Sequence, residues 1–323
     1  MKGVKSFCFI PKRTGMSALK LFSGTNSEYL AEKIAASYGQ PLGNRTIKRF
    51  SDGEIYVSFD ESVRGKDVYI IQSTFPNADN LMELMLMVDA ARRASAAEVA
   101  AIIPYFGYAR QDRKDKPRVP IAAKLVANLL SAAGVDRLMT CDLHAGQIQG
   151  FFDFPVDHLD GAAIFIPYLR NIQSDNLIIA SPDVGGVKRA REFAKHLKAD
   201  FVVCDKHRER ANEIASMQLI GNVEGADVVL VDDLIDTGGT ITRAAEVIMG
   251  KGAKSVRAIC THPILSGAAY ENIENSMLTE MLVTDTIPLR KETSKIKVLT
   301  VADLFAKAIF QIQQNESVSS LFL

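Results

Sequence analysis

Val228-Val-Leu-Val-Asp-Asp-Leu-Ile-Asp-Thr-Gly-Gly-Thr240 is the stretch on which the reading of this chain turns. Four apolar residues without alternation suit a strand buried on both faces. Two carboxylates, Asp232 and Asp233, follow them. A short loop then holds Asp236, Thr237, Gly238, Gly239 and Thr240, and a helical pattern covers 239–250. Glycines let the backbone turn sharply and aim N–H groups inward. The helix N-terminus adds partial positive charge, and the threonine hydroxyls add donors, so the loop is a phosphate cradle. Carboxylates beside a phosphate would repel it unless they accept hydrogen bonds from hydroxyls on the same ligand. A phosphorylated sugar carries both groups. A tight turn capped by its own Asp and Thr uses the same residue types. It leaves unexplained why they gather with two glycines at the C-terminal end of a parallel strand, the edge where α/β proteins bind ligands.

Similar unalternating runs recur at Val68–Ile71, Val99–Ile103, Leu177–Ala180, Phe201–Val203, Val256–Cys260 and Met281–Val283. Helical patterns at 79–94, 120–133 and 186–198 lie between several of them. Strand–helix units of this kind predict parallel sheets flanked by helices. The methionines within 81–88 read as core filling or a subunit contact. There is also an internal repeat. Gly65-Lys-Asp-Val-Tyr-Ile-Ile-Gln-Ser-Thr74 matches Gly225-Ala-Asp-Val-Val-Leu-Val-Asp-Asp-Leu234, each followed by a helical stretch and a second strand. The chain therefore reads as α/β with two similar domains, 17–163 and 164–306. The tail 307–323 is expected to pack back on the first domain. Gln72-Ser73 stands where the second copy has Asp232-Asp233, so the first copy is the degenerate one.

At 323 residues, the chain exceeds what one core usually serves. Its 38 basic and 38 acidic residues cancel, which argues against a general nucleic-acid binder. The four cysteines, Cys8, Cys141, Cys204 and Cys260, are scattered, with no CxxC or zinc spacing. They read as buried thiols of a reducing, cytoplasmic compartment. No segment approaches the roughly 18 apolar residues of a membrane span. The apolar run Phe7–Ile10 is too short for a signal core and ends at Pro11, so 1–16 reads as a poorly ordered extension, with Met16 an alternative start.

The opening stretch resembles the PRPP-binding signature shared by type I phosphoribosyltransferases and ribose-phosphate pyrophosphokinases. Other segments resemble the pyrophosphokinases. They are Arg49-Phe-Ser-Asp-Gly-Glu54, Ile103-Pro-Tyr-Phe-Gly-Tyr-Ala-Arg-Gln-Asp112, Cys141-Asp-Leu-His-Ala-Gly-Gln-Ile-Gln-Gly-Phe-Phe152, Ser181-Pro-Asp-Val-Gly-Gly186, Asp205-Lys-His-Arg-Glu-Arg210 and Thr261-His-Pro263. The resemblance runs from about Leu19 to Phe322. It implies two phosphoribosyltransferase-like domains and transfer of the β,γ-diphosphate of MgATP to the 1-hydroxyl of ribose 5-phosphate, giving PRPP and AMP.

The same resemblance implies residue roles. Phe50, Asp52 and Glu54 bind the adenine held by a neighbouring subunit. Arg110, Gln111, Asp112 and His144 contact ATP, and His144 and Asp183 hold Mg²⁺. Of these two, Asp183 is the easier ligand to defend, because magnesium prefers oxygen. Lys206 and Arg208, in a mobile loop with Arg210, stabilise the transferred group. Asp232 and Asp233 hold the ribose diol, and Asp236, Thr237, Gly238, Gly239 and Thr240 its phosphate. Self-association, on dimers and as a hexamer, is also implied.

A phosphoribosyltransferase is the nearest rival, but it needs neither His144 nor the Phe50–Glu54 loop nor a second α/β copy. A non-catalytic regulatory subunit would tend to lose catalytic-loop residues, and Lys206, Arg208, His144 and Asp183 all stand. Relatives are regulated by phosphate and ADP between subunits. Lys116-Pro117-Arg118 replaces a typical Arg-Ser-Arg there, removing a hydroxyl donor and a backbone N–H. The expectation is a persisting allosteric site with weaker phosphate and ADP binding, and ADP inhibition mainly competitive with ATP.

Overall fold

A computed structural model of the chain describes residues 18–75, 78–172, 174–207 and 216–321. The expected extension 1–16, Cys8, Arg208 and Arg210 lie outside the described residues. The first sheet is wholly parallel. Its strands are β1 (Leu19–Ser23), β4 (Asp67–Ile71), β5 (Glu98–Ile103), β6 (Arg137–Cys141) and β7 (Val156–Leu159), side by side in that order. The hairpin β2 (Arg45–Arg49) and β3 (Ile55–Phe59) stands apart from it. The second sheet holds β8 (Leu177–Ser181), β9 (Asp200–His207), β10 (Ser216–Ile220), β11 (Asp227–Ile235), β12 (Ser255–Pro263), β13 (Glu280–Thr284) and β14 (Ile296–Leu299). Its order is β10-β9-β8-β11-β12-β13-β14, and the β9–β10 pair is antiparallel.

The predicted class, parallel sheets with helices on both sides, is what forms. In the first half, α2 (Ala78–Arg93) and α3 (Ala122–Ala133) cover one face of the sheet, with Leu84, Met87 and Leu130 packed against Val68, Ile70 and Leu138. In the second half, α6 (Gly239–Gly250) and α7 (Ala269–Glu274) do the same, with Ile241, Ile248 and Ile273 against Val228, Leu230 and Val256. The repeat is visible in the backbone. Gly65 and Gly225 share a left-handed φ of 68° and 69°. Each donates its N–H over 2.8 Å to the turn before the next strand, at the carbonyls of Ser95 and Gly252.

One of the two remaining faces is closed by a helix from the far end of the chain. α1 (Glu28–Tyr38) covers the other face of the first sheet together with α8 (Ala302–Gln313), the last helix of the chain. Phe305 and Ile309 are fully buried there beside Ile34 and Ile102. α4 (Ala162–Arg170) and α5 (Val187–Leu197) cover the second sheet, with Phe165 and Phe193 on Val229 and Ile259.

Two elements differ from expectation. The β2–β3 hairpin has no fully buried face, so it lacks the continuous apolar run that marks the other strands in the sequence. The run Phe201–Val203 extends to His207 because β10 pairs with it, Lys206 opposite Met217. Lys206 therefore lies on a strand. Cys141, Cys204 and Cys260 are buried free thiols, and burial pushes all three up from their ordinary pKa.

Because α8 seals the first sheet, Phe305→Ala should lower stability by about 3–5 kcal/mol. Urea unfolding of the variant against the parent measures it, and a midpoint shift equivalent to under about 1 kcal/mol would contradict this packing.

Candidate active site

Every parallel strand delivers its C-terminal end to one edge, and the carboxyl edges of both sheets face each other across a cleft of about 1000 Å³. Asp232 and Asp233 sit where β11 leaves its pairing with β8 but continues along β12. The loop after them turns at Gly238, whose φ of 77° favours glycine. α6 starts at Gly239, so the amides of its first turn, which have no intrahelical partner, open towards the loop. Asp236 is anchored by the Ser266 hydroxyl and by Arg110, whose Nη1 lies 2.9 Å from Oδ2. Burial would raise the Asp236 carboxyl, but Ser266 and Arg110 together hold it below the usual range.

His144 comes from the first half, beyond β6, and its Nδ1 lies 2.8 Å from Asp233 Oδ2. That hydrogen bond raises the His144 pKa against the opposing effect of burial. The two adjacent carboxyls are driven apart. Burial would raise Asp233, yet the His144 hydrogen bond and the charge of Arg189 bring it down to about 2. Asp232 goes well up, through burial and then repulsion from Asp233. One carboxylate of the pair is firmly ionised and the other is held towards its neutral form.

Asp183 follows β8 and caps the turn at Val184–Gly186, accepting the Gly186 N–H at 3.1 Å. Its other oxygen forms an ion pair with Lys206. Of the ATP-motif residues, Asp112 lines the cleft and accepts from Gln147 at 3.0 Å, whereas Gln111 is exposed beside it. Phe50, Asp52 and Glu54 do not reach the cleft. They form the outward tip of the β2–β3 hairpin, where Phe50 is half exposed and stacks edge-on to Tyr56 at 5.7 Å. The structure thus gathers Arg110, Asp112, His144, Asp183, Lys206, Asp232, Asp233 and Asp236 and leaves the hairpin tip apart.

Residues beyond those read from sequence hold this arrangement. Asp142 is buried and receives Arg189 at 3.2 Å, the Thr261 hydroxyl, and the Gly161 N–H at 3.2 Å. His262 donates from Nε2 to the Cys141 and Asp142 carbonyls, 3.1 Å each, and meets the Thr286 hydroxyl at Nδ1. Burial pushes the His262 pKa down, keeping the ring neutral. One signal for Arg189 was available. Lys188 and Arg189 occupy the first turn of α5, where a cation opposes the helix dipole and needs an anionic partner.

Two related doubly wound halves, one with an acidic strand end and a glycine-rich loop before a helix, define an α/β enzyme of the phosphoribosyltransferase type. A family model described as the N-terminal domain of ribose phosphate pyrophosphokinase matches residues 19–134, and one described as a phosphoribosyl synthetase-associated domain matches 207–323. A ribose-phosphate pyrophosphokinase of Campylobacter jejuni is 58% identical over 309 residues, covering 95% of this chain and all of that one. One of Porphyromonas gingivalis is 57% identical over 303 residues, covering 94% and 97%. The crystal structure of phosphoribosylpyrophosphate synthetase from Mycobacterium smegmatis superposes with a TM-score of 0.88 at 38% identity, covering 92% of this chain and 99% of that one. The chain belongs to the ribose-phosphate pyrophosphokinase family.

Removing Arg189 strands a buried carboxylate, so Arg189→Met should cost about 3–5 kcal/mol at neutral pH. Burial alone would raise Asp142, but Arg189 above all, with Thr261, holds it below the ordinary range. The parent's Asp142 contribution is therefore present above roughly pH 4 and is lost as pH falls through the folded value. In the variant, the unpaired carboxyl titrates above its unfolded value, so the deficit should shrink between pH 7 and pH 5. Urea midpoints at both values check this, and a pH-independent deficit would contradict it.

Proposed function

We propose that this enzyme transfers the β,γ-diphosphate of ATP to the 1-hydroxyl of ribose 5-phosphate, releasing AMP and forming PRPP for nucleotide, histidine, tryptophan and NAD synthesis. The observation that carries this reading is the meeting of two motif sets from different halves. His144 abuts Asp233, and Arg110 abuts Asp236. One cleft then accommodates a nucleotide on the first set and a sugar phosphate on the second. A phosphoribosyltransferase needs only the second set.

The 1-hydroxyl oxygen bonds to the β-phosphorus as the bond to the α–β bridging oxygen breaks, and AMP carries that oxygen away. Little covalent help is needed in phosphoryl-type transfer. Alignment and charge neutralisation decide the rate. Asp232 and Asp233 accept from the ribose hydroxyls, and the loop from Asp236 through Thr237, Gly238 and Gly239 to Thr240 cradles the 5-phosphate. Asp233, strongly held as the anion, is the weaker base. Asp232, once ionised, is the better acceptor for the proton of the attacking hydroxyl. Lys206 neutralises the moving diphosphate, with Arg208 beside it.

Magnesium fits this site. Among the described residues, no group of three or more acidic, histidine or cysteine side chains forms a cage. Magnesium does not require one, since it takes one or two carboxylates together with substrate phosphates and waters. Asp183 and His144 both line the cleft. Bound with ATP there, the ion would polarise the phosphates.

The hairpin tip carrying Phe50, Asp52 and Glu54 faces away from its own cleft, which suits an adenine contact made in a neighbouring copy of a dimer-based hexamer. Exposed Lys116, Pro117 and Arg118 suit a phosphate and ADP site weaker than in relatives with Arg-Ser-Arg. No helix among the described residues is long and apolar enough to cross a membrane. Together with the zero net charge, this favours a cytoplasmic enzyme without nucleic-acid partners.

Purified protein with MgATP and ribose 5-phosphate should yield AMP. Release of ADP would refute diphosphate transfer. Lys206→Ala should lower kcat by about 10³-fold, as loss of a transition-state cation does in related chemistry. A near-normal kcat would remove Lys206 from that role. Mixing the inactive variants Asp52→Ala and Lys206→Ala under subunit exchange should recover part of the activity through hybrid sites, and no recovery would contradict shared sites.

A further inference from the structure

The degenerate copy has a second use. Strand registers align the halves: Leu19 opposes Asp67 as Leu177 opposes Asp227. Thr25 then stands where Asp183 does, two residues beyond its strand, and Gln72 stands where Asp232 does. In the second half, the space between those positions opens into the cleft. In the first half, it is filled by the buried carboxylate of Glu83. That carboxylate accepts from the Thr25 N–H at 2.6 Å, the Thr25 hydroxyl at 2.9 Å and Gln72 Nε2 at 2.9 Å. A side chain of the chain itself therefore fills the position that opens into the cleft in the other copy.

The strand end instead grips another segment. Ser73 Oγ accepts the Tyr105 N–H at 3.2 Å and donates to the Thr286 carbonyl at 2.7 Å. The Thr74 hydroxyl accepts the Gly107 N–H at 2.8 Å, and the Thr74 N–H donates to the Tyr105 carbonyl at 3.0 Å. The contact is too close for any other residue at 107, where an added Cβ would lie 2.1 Å from the Thr74 carbonyl oxygen. Just beyond, Tyr108 is turned to a left-handed φ of 66°, and the chain presents Arg110 to Asp236. Tyr108 is not glycine, so this turn is strained and needs support from outside itself. Thr74 is buried and supplies that support from the residue next to Ser73, the counterpart of Asp233.

We infer that Thr74, seated in the vestigial site of the first half, is a positioning residue for ATP use: it holds the Tyr105–Arg110 segment so that Arg110 reaches Asp236. The inference rests on the reading of Arg110 as an ATP contact. A buried hydrogen bond of this kind changes an equilibrium by about three- to tenfold.

The test is a double-mutant cycle in the full-length oligomer. Thr74→Val keeps the volume and removes the two hydroxyl contacts, acceptance from the Gly107 N–H at 2.8 Å and donation to the Tyr105 carbonyl at 3.3 Å. It should raise KM for ATP about three- to tenfold, with kcat and KM for ribose 5-phosphate within about twofold. Thr74→Ser should restore the parent value. Added to Arg110→Ala, Thr74→Val should do no further harm, because its effect passes through Arg110. Multiplying losses in the double variant would overturn the inference, as would an unchanged KM for ATP in Thr74→Val alongside a raised one in Arg110→Ala. An unchanged KM in Arg110→Ala would sink the Arg110 reading and this inference with it. Should Thr74→Val fail to fold, Thr74→Ala, which removes the hydroxyl without adding bulk, gives the same comparison.

Discussion

The buried carboxylate of Asp142 is the joint on which the cleft depends. It sits at the end of β6 with a left-handed φ of 43°, a conformation that aspartate tolerates better than most residues. Arg189 of α5, Thr261 of β12 and the Gly161 N–H before α4 all address it. Three elements that build the second half thereby converge on one atom group of the first. A buried charge demands such partners, and losing any one leaves the others wrongly placed. The turn at Asp142 buries Leu143 and carries His144 to Asp233.

The charges of the cleft follow from that joint. Arg189 neutralises Asp142 and also lowers Asp233, so one cation serves a structural carboxylate and a cleft-lining one. Asp232, whose neighbours are Asp233 and Asp183, goes the other way. Two adjacent aspartates of the same sequence chemistry end with opposite protonation tendencies because His144 and Arg189 lie on the side of Asp233.

Duplication explains the rest of the architecture. Both halves keep the glycine before their corresponding strands, β4 and β11, and the same backbone turn. They diverge at the strand end, where Gln72 and Ser73 are neutral, buried and internally bonded. α8 packs the end of the second half onto the first sheet. α8 closes the first sheet after the chain has completed the second, so the first half is not finished until the last residues are in place.

The sequence alone determined the fold class and the glycine-rich loop that links β11 to α6. Both are local: unalternating strands and the run from Asp232 to Thr240 are contiguous, and their chemistry follows from neighbours a few residues apart. The hairpin β2–β3 and the strand character of Lys206 were not legible, since both depend on pairing rather than on an apolar run. Nor were the partners of Arg189, Asp142 and His262, which lie in other elements. His144 and Asp233 are 89 residues apart, and Arg110 and Asp236 are 126 apart. Only the tertiary structure decided which of Asp232 and Asp233 is held towards the anion, which lysine Asp183 pairs with, and that the Thr74 hydroxyl meets the Gly107 N–H. Those properties arise from burial and from distances of about 3 Å between residues that the chain order keeps apart.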